Sequence, residues 1–277
     1  MLGVYCHIVN DFQGLASPLS PDGLAEAQQL LSIGAAEIWT VLSVETSGFG
    51  YLNDRRPAIL FERHHFHKQT NGMFDAANPA ISSPKAGGYL GGAQEYTRLA
   101  QAVALDRHSA LNSASWGIGQ VMGFNSSLAG FANVEAMVTA MIDNEDAQIK
   151  AMAKFVCSTG LDTALAARNW AKFAHGYNGA DFAKNQYDVR LAADFEKYSK
   201  GPLPDVRVRQ VQAYLTYLGF DVAGVDGVIG KRTRSGVVRF REENGLGDSD
   251  QIDDALITVL RGKVAAASAA AAAGGAS

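Results

Sequence analysis

Glu45 is the residue whose place in the sequence points most directly to chemistry. It continues an apolar stripe at helical spacing, made by Ile38, Val41 and Leu42. A helix over Ala35–Thr46 would turn that stripe to the core and bring the carboxyl of Glu45 with it. A carboxyl in apolar surroundings has a raised pKa, so Glu45 could carry a proton near neutral pH, as a general acid must. The alternative is a helix-terminal glutamate that bends out to water. Gly48 and Gly50 are expected to end this helix.

A second group of ionisable residues occupies positions 56–67, with the sequence RPAILFERHHFH. The short apolar run Ala58–Phe61 favours a strand. If the chain stays extended to His64, Glu62 lies beside apolar neighbours on the same face. A carboxylate here, close to Glu45, would complete the acid-and-base pair of glycoside hydrolysis. The alternative is a structural glutamate paired with an arginine.

The histidines of this segment indicate a metal site only weakly. Imidazole is a common zinc ligand, but the chain has no His-Glu-x-x-His helix and no cysteine near the cluster. Three histidines within four positions are more typical of hydrogen-bonding residues at the rim of a site. We therefore expect no metal and no other cofactor.

The candidates for sugar contacts lie in two further segments, 113–125 and 174–179. The first, SASWGIGQVMGFN, interleaves small residues with Trp116, Gln120 and Asn125. The second, AHGYNG, ends a predicted helix with a tyrosine and an amide. Aromatic rings can stack on sugars, and amides can hydrogen-bond hydroxyl or acetamido groups. The candidate residues are Trp116, Gln120, Asn125, Tyr177 and Asn178. The alternatives are a tightly packed turn and a simple helix C-cap.

Composition argues against some classes of partner. The formal net charge of -4 and the pI near 5.9 give no electrostatic reason to bind nucleic acid or an anionic membrane. Cys6 and Cys157 match no metal or redox spacing, so no disulfide framework is implied and synthesis in a reducing cytosol is expected. No basic leader precedes a long apolar run, and no segment reaches the roughly 18 apolar residues of a membrane span. We expect a monomer without a membrane partner.

The patterns predict a mainly α protein of two domains. Residues 22–200 are expected to form an α+β domain with a short β element, and residues 207–262 a small three-helix bundle. The remaining segments are an irregular lead-in (1–21), a stiff linker around Gly201-Pro202-Leu203-Pro204 (201–206) and an Ala-rich, low-complexity tail expected to fray (263–277).

Three helices of the larger domain are predicted from their apolar spacing. They cover about 134–156, capped by Asn133, and about 161–175 and 181–199. The methionines at helical intervals in the first of them are interpreted as core packing.

Four of these segments together resemble a known family. VETSGFGYL, RPAILFERHHFH, SASWGIGQVMGFN and YNG resemble, in order, blocks of the endolysin-type N-acetylmuramidase domain, a lysozyme-like domain common in phages of Gram-negative bacteria. The resemblance covers roughly residues 22–200. It implies that Glu45 is the catalytic glutamate and Glu62 the second acid. It also implies that the Gly117–Gln120 turn and the Tyr177-Asn178 pair belong to a substrate groove like that of goose-type lysozymes and lytic transglycosylases.

The residues after Pro204 resemble a three-helix peptidoglycan-binding domain. The matching residues are Gln212, Leu215, Gly219, Asp226, Gly227, Gly230, Thr233, Val237, Phe240, Gly245 and Leu246. Most of these suit a turn or a small core, so the motif is largely structural in itself. Arg241 departs from the pattern, since the family usually has a glutamine after the aromatic. The implied partner is bacterial peptidoglycan, bound by this domain, and the first domain alone is expected to keep its cleavage of soluble fragments.

The resemblance implies hydrolysis of the β-1,4 bond between N-acetylmuramic acid and N-acetylglucosamine, for lysis of a bacterial host. Glu45 would protonate the glycosidic oxygen, and Glu62 would place water or tune Glu45. The groove would be lined by Tyr177, Gln120, Asn125 and Asn178. Tyr177 is also a catalytic candidate beside the two glutamates. The alternatives are a lytic transglycosylase, which releases a 1,6-anhydro sugar with the same acid, and a non-catalytic wall-binding protein. The expected location is the host cytoplasm, with action on the periplasmic wall after release.

Overall fold

The protein is mainly helical with one small antiparallel sheet, as predicted. The structure, a computed structural model, describes residues 12–46 and 49–274. The α-helices before residue 201 are α1 (Pro21–Leu31), α2 (Ala35–Thr46), α3 (Arg63–Gln69), α4 (Glu95–Leu105), α5 (Arg107–Asn112), α6 (Val134–Asp143), α7 (Glu145–Ser158), α8 (Asp162–Ala166), α9 (Trp170–Asn178) and α10 (Tyr187–Lys200). Those after it are α11 (Val206–Tyr217), α12 (Lys231–Glu243) and α13 (Asp254–Gly274). Short 3-10 helices cover Gly92–Gln94, Gly123–Asn125 and Ala180–Ala183.

The sheet is formed by three short strands in the order β1-β2-β3. The strands are β1 (Ile59–Phe61), β2 (Ala114–Trp116) and β3 (Val121–Met122), and both pairings are antiparallel. Ile59 lies opposite Trp116 in the register. The predicted strand is thus present as β1. Its pairing with β2 brings the segment that follows Glu45 in the chain next to the segment that precedes Gln120.

Helix α2 confirms the prediction made from the apolar stripe, since it runs from Ala35 to Thr46. Ile38, Val41 and Leu42 have no exposed surface. Helix α10 packs along α2, where Arg190 donates to the carbonyl of Val44 (3.1 Å). Glu45 therefore lies at the end of a helix that is fixed on its buried side. Gly48, expected to help end this helix, lies outside the described residues.

The helix predicted over 134–156 is wrong as a single element, because α6 ends at Asp143 and α7 begins at Glu145. The backbone of Asn144 is extended, and its side chain caps α7 by accepting a hydrogen bond from the amide of Ala147 (2.7 Å). Asn133 caps α6 as expected. The methionines at 137, 141 and 152 are buried core residues, as predicted.

The two helices predicted next are also interrupted. Arg168 has a left-handed backbone between α8 and α9, and the Asn169 side chain caps α9. Gln186, also left-handed, separates a 3-10 turn from α10. Periodicity alone did not predict these breaks because the apolar stripe continues across them.

Two further expectations need correction. The chain is not extended to His64, because β1 ends at Phe61 and Glu62 is the N-terminal cap position of α3. The Ala-rich tail, which was expected to fray, continues α13 as far as Gly274, as the high helix propensity of alanine favours.

The second part of the chain has its own apolar core. Its centre includes Val211, Leu215, Val237 and Leu256, from all three helices. The motif residue Gln212 is structural, since its Oε1 accepts from the amides of Asp226 and Gly227 and its Nε2 donates to Thr233. The Asp-Gly turn is therefore tied to α11 and α12.

Arg241, which departs from the family pattern, also has a structural role. Its guanidinium donates to the carbonyls of Leu246 and Gln251 and pairs with Asp253. These contacts hold the segment between α12 and α13. A membrane crossing would need a longer apolar run than any helix in the described chain offers.

Candidate active site

The carboxyl of Glu45 lies among protein atoms at the end of α2, although the residue as a whole is partly exposed. Asn178 Nδ2 donates to Glu45 Oε1 (3.1 Å). Burial raises the pKa of Glu45 to about 7, while the Asn178 hydrogen bond and the charge of Arg190 act in the opposite direction. Glu45 can therefore be protonated at neutral pH and still face solvent at its edge, which is what proton donation to a bound substrate needs.

Asn178 is placed beside Glu45 by the end of α9. The next residue, Gly179, has a positive φ of 82°, which turns the chain away from the helix and leaves the amide side chain facing α2. While Nδ2 of Asn178 donates to Glu45, its Oδ1 is buried and has no hydrogen-bond partner in the described part of the chain. Asn178, which was predicted to line the groove, is thus in direct contact with Glu45.

Tyr177 lies near Glu45 but uses its hydroxyl elsewhere. The hydroxyl donates to the carbonyl of Gly119 (2.5 Å), and the ring stacks on Phe173 with centroids 5.4 Å apart. Burial, followed by the negative charge of Glu45, holds the pKa of Tyr177 well above its usual range. A neutral, fixed tyrosine positions the 117–120 turn against α9, and this geometry indicates support of the site more than proton transfer.

Gln120 does not have a free amide for sugar. Its Nε2 donates to the carbonyls of Ala58 (3.1 Å) and Gly117 (2.8 Å), and its Oε1 accepts from the hydroxyl of Ser115 (2.7 Å). Its backbone is left-handed, with φ of 48°. The predicted substrate contact is therefore corrected: the carboxamide closes the turn that Tyr177 also holds.

Trp116 is a core residue and not a sugar platform. It has no exposed surface, its ring packs on Phe12 at 5.6 Å, and its Nε1 donates to the carbonyl of Leu111 (3.1 Å). The prediction that it contacts substrate is wrong in this structure, because a sugar cannot reach either face. In the same segment Phe124 is 42% exposed and lies 4.9 Å from the ring of His65. Asn125 follows it, half-buried, with no side-chain hydrogen bond in the described chain.

Glu62 lies in a separate set of contacts. The hydroxyl of Tyr89 donates to both of its oxygens, at 3.0 and 2.8 Å, and His64 Nδ1 lies 3.1 Å from Oε2 without hydrogen-bond alignment. Its neighbour Arg63 turns away and donates to the carbonyls of Lys85 and Ala86. The arginine-paired alternative is therefore not what the structure shows.

The neighbours of Glu62 were partly missed by the sequence reasoning. Tyr89 lies in the Gly- and Pro-rich segment 72–92, where no periodic pattern marks any side chain. Burial, followed by the hydrogen bond to Glu62 and the negative charge of Glu62, raises the pKa of Tyr89 to about 12. Burial, helped by the charges of His64 and Lys68, lowers the pKa of His65 to about 4, so that this imidazole is neutral at pH 7.

The structure thus sorts the candidates into two sets. Glu45, Asn178 and Tyr177 meet at the ends of α2 and α9, with Gln120 in the adjoining turn. Glu62 and Asn125 lie by the ends of β1 and β3, with Tyr89 and Phe124 nearby. Within the described residues, no group of three histidine, cysteine or acidic side chains is arranged to hold a metal ion.

A buried acid at a helix end that keeps its proton near neutral pH suits general acid catalysis. The sequence model of the N-acetylmuramidase family matches residues 34–199, more than half of the chain, and the protein belongs to this family. The model of a putative peptidoglycan-binding domain matches residues 204–260. The suspected resemblance is confirmed, and the protein is a peptidoglycan hydrolase.

Solved structures are also similar. Among them is the crystal structure of a Burkholderia AP3 phage endolysin, with 40% sequence identity and a TM-score of 0.61. The match covers 66% of this chain and 72% of the endolysin. A search of curated protein sequences gave no match.

Proposed function

We propose that the protein is a phage endolysin that hydrolyses the β-1,4 bond between N-acetylmuramic acid and N-acetylglucosamine. The observation that carries the proposal is the buried carboxyl of Glu45, whose pKa of about 7 suits a general acid. Family membership and the similarity to a phage endolysin support the substrate and the biological role.

In the proposed reaction, Glu45 protonates the glycosidic oxygen while the bond from that oxygen to the anomeric carbon breaks. Asn178 holds the carboxyl in place through its hydrogen bond to Oε1. The oxocarbenium-like sugar is then attacked by water, which loses a proton to a carboxylate. We assign Glu62 to this water, because its carboxylate is oriented by Tyr89 and carries no arginine or lysine partner in the described chain.

A second candidate is a lytic transglycosylase, in which the sugar's own C6 hydroxyl attacks in place of water. The observation that favours it is the set of residues that surround Glu45. Asn178, Tyr177, Tyr187 and Arg190 are the groups that act on it or respond to its charge, and none of these described residues is a second carboxylate. Both candidates use the same acid and differ in the nucleophile.

Product analysis separates the candidates. Purified peptidoglycan would be digested with the full-length protein and the soluble fragments identified by mass spectrometry. Hydrolysis predicts fragments with a reducing N-acetylmuramic acid end, each heavier by one water than its 1,6-anhydro counterpart. Anhydro products would favour the transglycosylase, reducing N-acetylglucosamine ends would overturn the bond assignment, and no new ends would favour a non-catalytic wall-binding protein.

We further propose that the protein accumulates in the host cytoplasm and reaches the periplasmic wall only after the inner membrane is breached. Expression in a Gram-negative host, with and without chemical permeabilisation of the inner membrane, tests this. Lysis should follow permeabilisation only. Rapid lysis on expression alone would contradict the proposed route.

A further inference from the structure

A buried ion pair joins the two parts of the molecule. Arg209, on α11 of the second part, meets Glu145, the first residue of α7. Two parallel hydrogen bonds of 2.6 and 2.7 Å join the guanidinium to the two carboxylate oxygens, and neither side chain has any exposed surface. The pair therefore links α11 to α7 through two fully buried charges.

Glu145 also holds the segment that follows Glu45. Its Oε1, which accepts from Arg209 Nη2, accepts from the backbone amide of Gly50 (2.8 Å). Its Oε2 accepts from Arg209 Nη1 and from the amide of Leu19 (2.7 Å). The guanidinium further lies 5.3 Å from the centre of the Phe49 ring. Arg209 therefore contacts the Phe49-Gly50 segment directly and through one carboxylate.

Gly50 is fixed from its other sides as well. Its carbonyl accepts from the amide of Ala58 (2.8 Å), one residue before β1. A Cβ at this position would lie 1.9 Å from Gln148 Oε1 and 2.8 Å from the amide of Ile118, so that only glycine fits. The backbone that leaves the catalytic helix is thus clamped between α7, the 117–120 turn and Arg209.

Other contacts fix the second part in the same position. The hydroxyl of Tyr217 donates to the carbonyl of Ala16 (3.0 Å), and Gln210 Nε2 donates to the carbonyl of Leu19 (3.1 Å). The Tyr217 ring lies 6.2 Å from that of Phe49. These bonds come from one face of α11, so the whole helix is seated on the first part and not held by its linker alone.

The energetic character of the pair indicates a role in geometry. Burying two charges costs desolvation free energy that their attraction only partly offsets, so such a pair contributes little net stability, while removal of one partner leaves a buried unpaired charge. By contrast, Arg207, two residues earlier, pairs with Asp254 at the surface of the second part. Arg209 differs from Arg207 because its partner, Glu145, lies in the first part of the chain.

We propose that Arg209 is a positioning residue for cleavage: through Glu145 it fixes the Phe49-Gly50 backbone, which follows Glu45 in the chain, so the second part belongs to the catalytic unit. The proposal rests on the proposed function for the role of Glu45. It replaces the expectation that the first domain alone keeps its activity, because a chain ending near residue 200 would lack Arg209, the cation that pairs with Glu145.

The test compares Arg209→Met with Arg207→Met in the full-length protein, the second being a matched control on the same helix. The substrate is soluble, uncrosslinked glycan, so that capture by insoluble wall does not limit the rate. Arg209→Met should lower kcat at least about tenfold, with KM and co-sedimentation with insoluble peptidoglycan within about twofold of the unmodified protein. Arg207→Met should change neither, and Arg209→Lys should recover part of kcat.

The pH profile provides a readout that general loss of stability would not move. If the segment loosens and water reaches Glu45, the pKa of Glu45 should fall and the alkaline decline in activity should move to lower pH. Unchanged kcat and pH profile in folded Arg209→Met would overturn the proposal. Should that variant not fold, Arg209→Met combined with Glu145→Gln removes the unpaired charge, and wild-type kcat in the double variant would overturn it equally.

Failure of the proposed function is distinguishable from failure of this inference. If the unmodified protein gives no muramidase products, the proposed reaction fails whatever Arg209 does. If the products are as expected and Arg209→Met cleaves normally, the reaction stands and only the positioning role is lost.

Discussion

The surroundings of Glu45 and Glu62 differ in what they do to a carboxyl group. Glu45 is withdrawn among protein atoms, accepts one hydrogen bond from an amide, and has a pKa raised to about 7. Glu62 is half-buried at a helix start and accepts two hydrogen bonds from Tyr89. Burial without strong compensation keeps a proton on an acid, whereas hydrogen-bond donors fix an acid's orientation. Two glutamates 17 positions apart thus have surroundings suited to different tasks, keeping a proton at Glu45 and fixing the carboxylate's orientation at Glu62.

The largest effect on kcat is expected from a substitution that leaves no acidic proton at position 45. Glu45→Gln keeps the shape and its contact with Asn178 but cannot donate to the glycosidic oxygen, so kcat should fall by at least about a hundredfold. Circular dichroism should show an unchanged fold, and the surface variant Glu26→Gln serves as the control. Wild-type turnover by Glu45→Gln would remove the distinction between the two acids.

A smaller effect is expected at Glu62, because in the proposed reaction it acts on water and not on the leaving group. Glu62→Gln should lower kcat by about tenfold with no change in melting temperature. Tyr89→Phe, which removes the two hydroxyl hydrogen bonds while retaining the acid, should lower kcat less. Loss of folding in Glu62→Gln would indicate a structural glutamate instead.

The amide next to Glu45 should affect the pH profile more than the rate. The hydrogen bond from Asn178 lowers the pKa of Glu45, so Asn178→Ala should raise it and move the alkaline decline in activity to higher pH. The rate at pH 5 should change only a few-fold, by about the effect of one misoriented group. A shift of the decline to lower pH would show that Asn178 protects Glu45 from water instead.

The raised pKa also predicts how stability depends on pH. Between pH 4.5 and about 7 the folded protein keeps the Glu45 proton that the unfolded chain has released, so the free energy of unfolding falls as pH rises through this window. Glu45→Gln removes this loss and should be more stable than the unmodified protein at pH 8, by up to about 3 kcal/mol. At pH 4 the two should differ little. Equal melting temperatures at both pH values would contradict burial as the cause of the raised pKa.

How far the sequence predicted the structure depended on the range of the interactions. Helix α2 follows from one apolar stripe, and its bounds were predicted correctly. The breaks at Asn144, Arg168 and Gln186 depend on a single cap or a left-handed residue, which periodicity does not register. Local patterns therefore predicted where helices lie better than where they stop.

Some residues of the candidate site were predicted correctly and others were not, because residue type does not determine which way a side chain faces. Glu45 and Asn178 were chosen and do meet. Trp116 was predicted to contact sugar because of its aromatic ring, but the ring faces the core. The side-chain amide of Gln120 donates to the carbonyl of Gly117 in its own turn. The contact of Arg209 with Glu145 joins residues far apart in sequence, and no sequence motif predicted it.

The most direct test of the central claim is the titration of Glu45 itself. The protein would be labelled with carbon-13 at the glutamate carboxyls, and the Glu45 signal would be assigned by its loss in Glu45→Gln. Its chemical shift, followed from pH 3 to pH 9, should show a midpoint near 7, well above those of the surface glutamates. A midpoint near the ordinary value of 4.5 would contradict the account, because Glu45 would then hold no proton to donate at neutral pH.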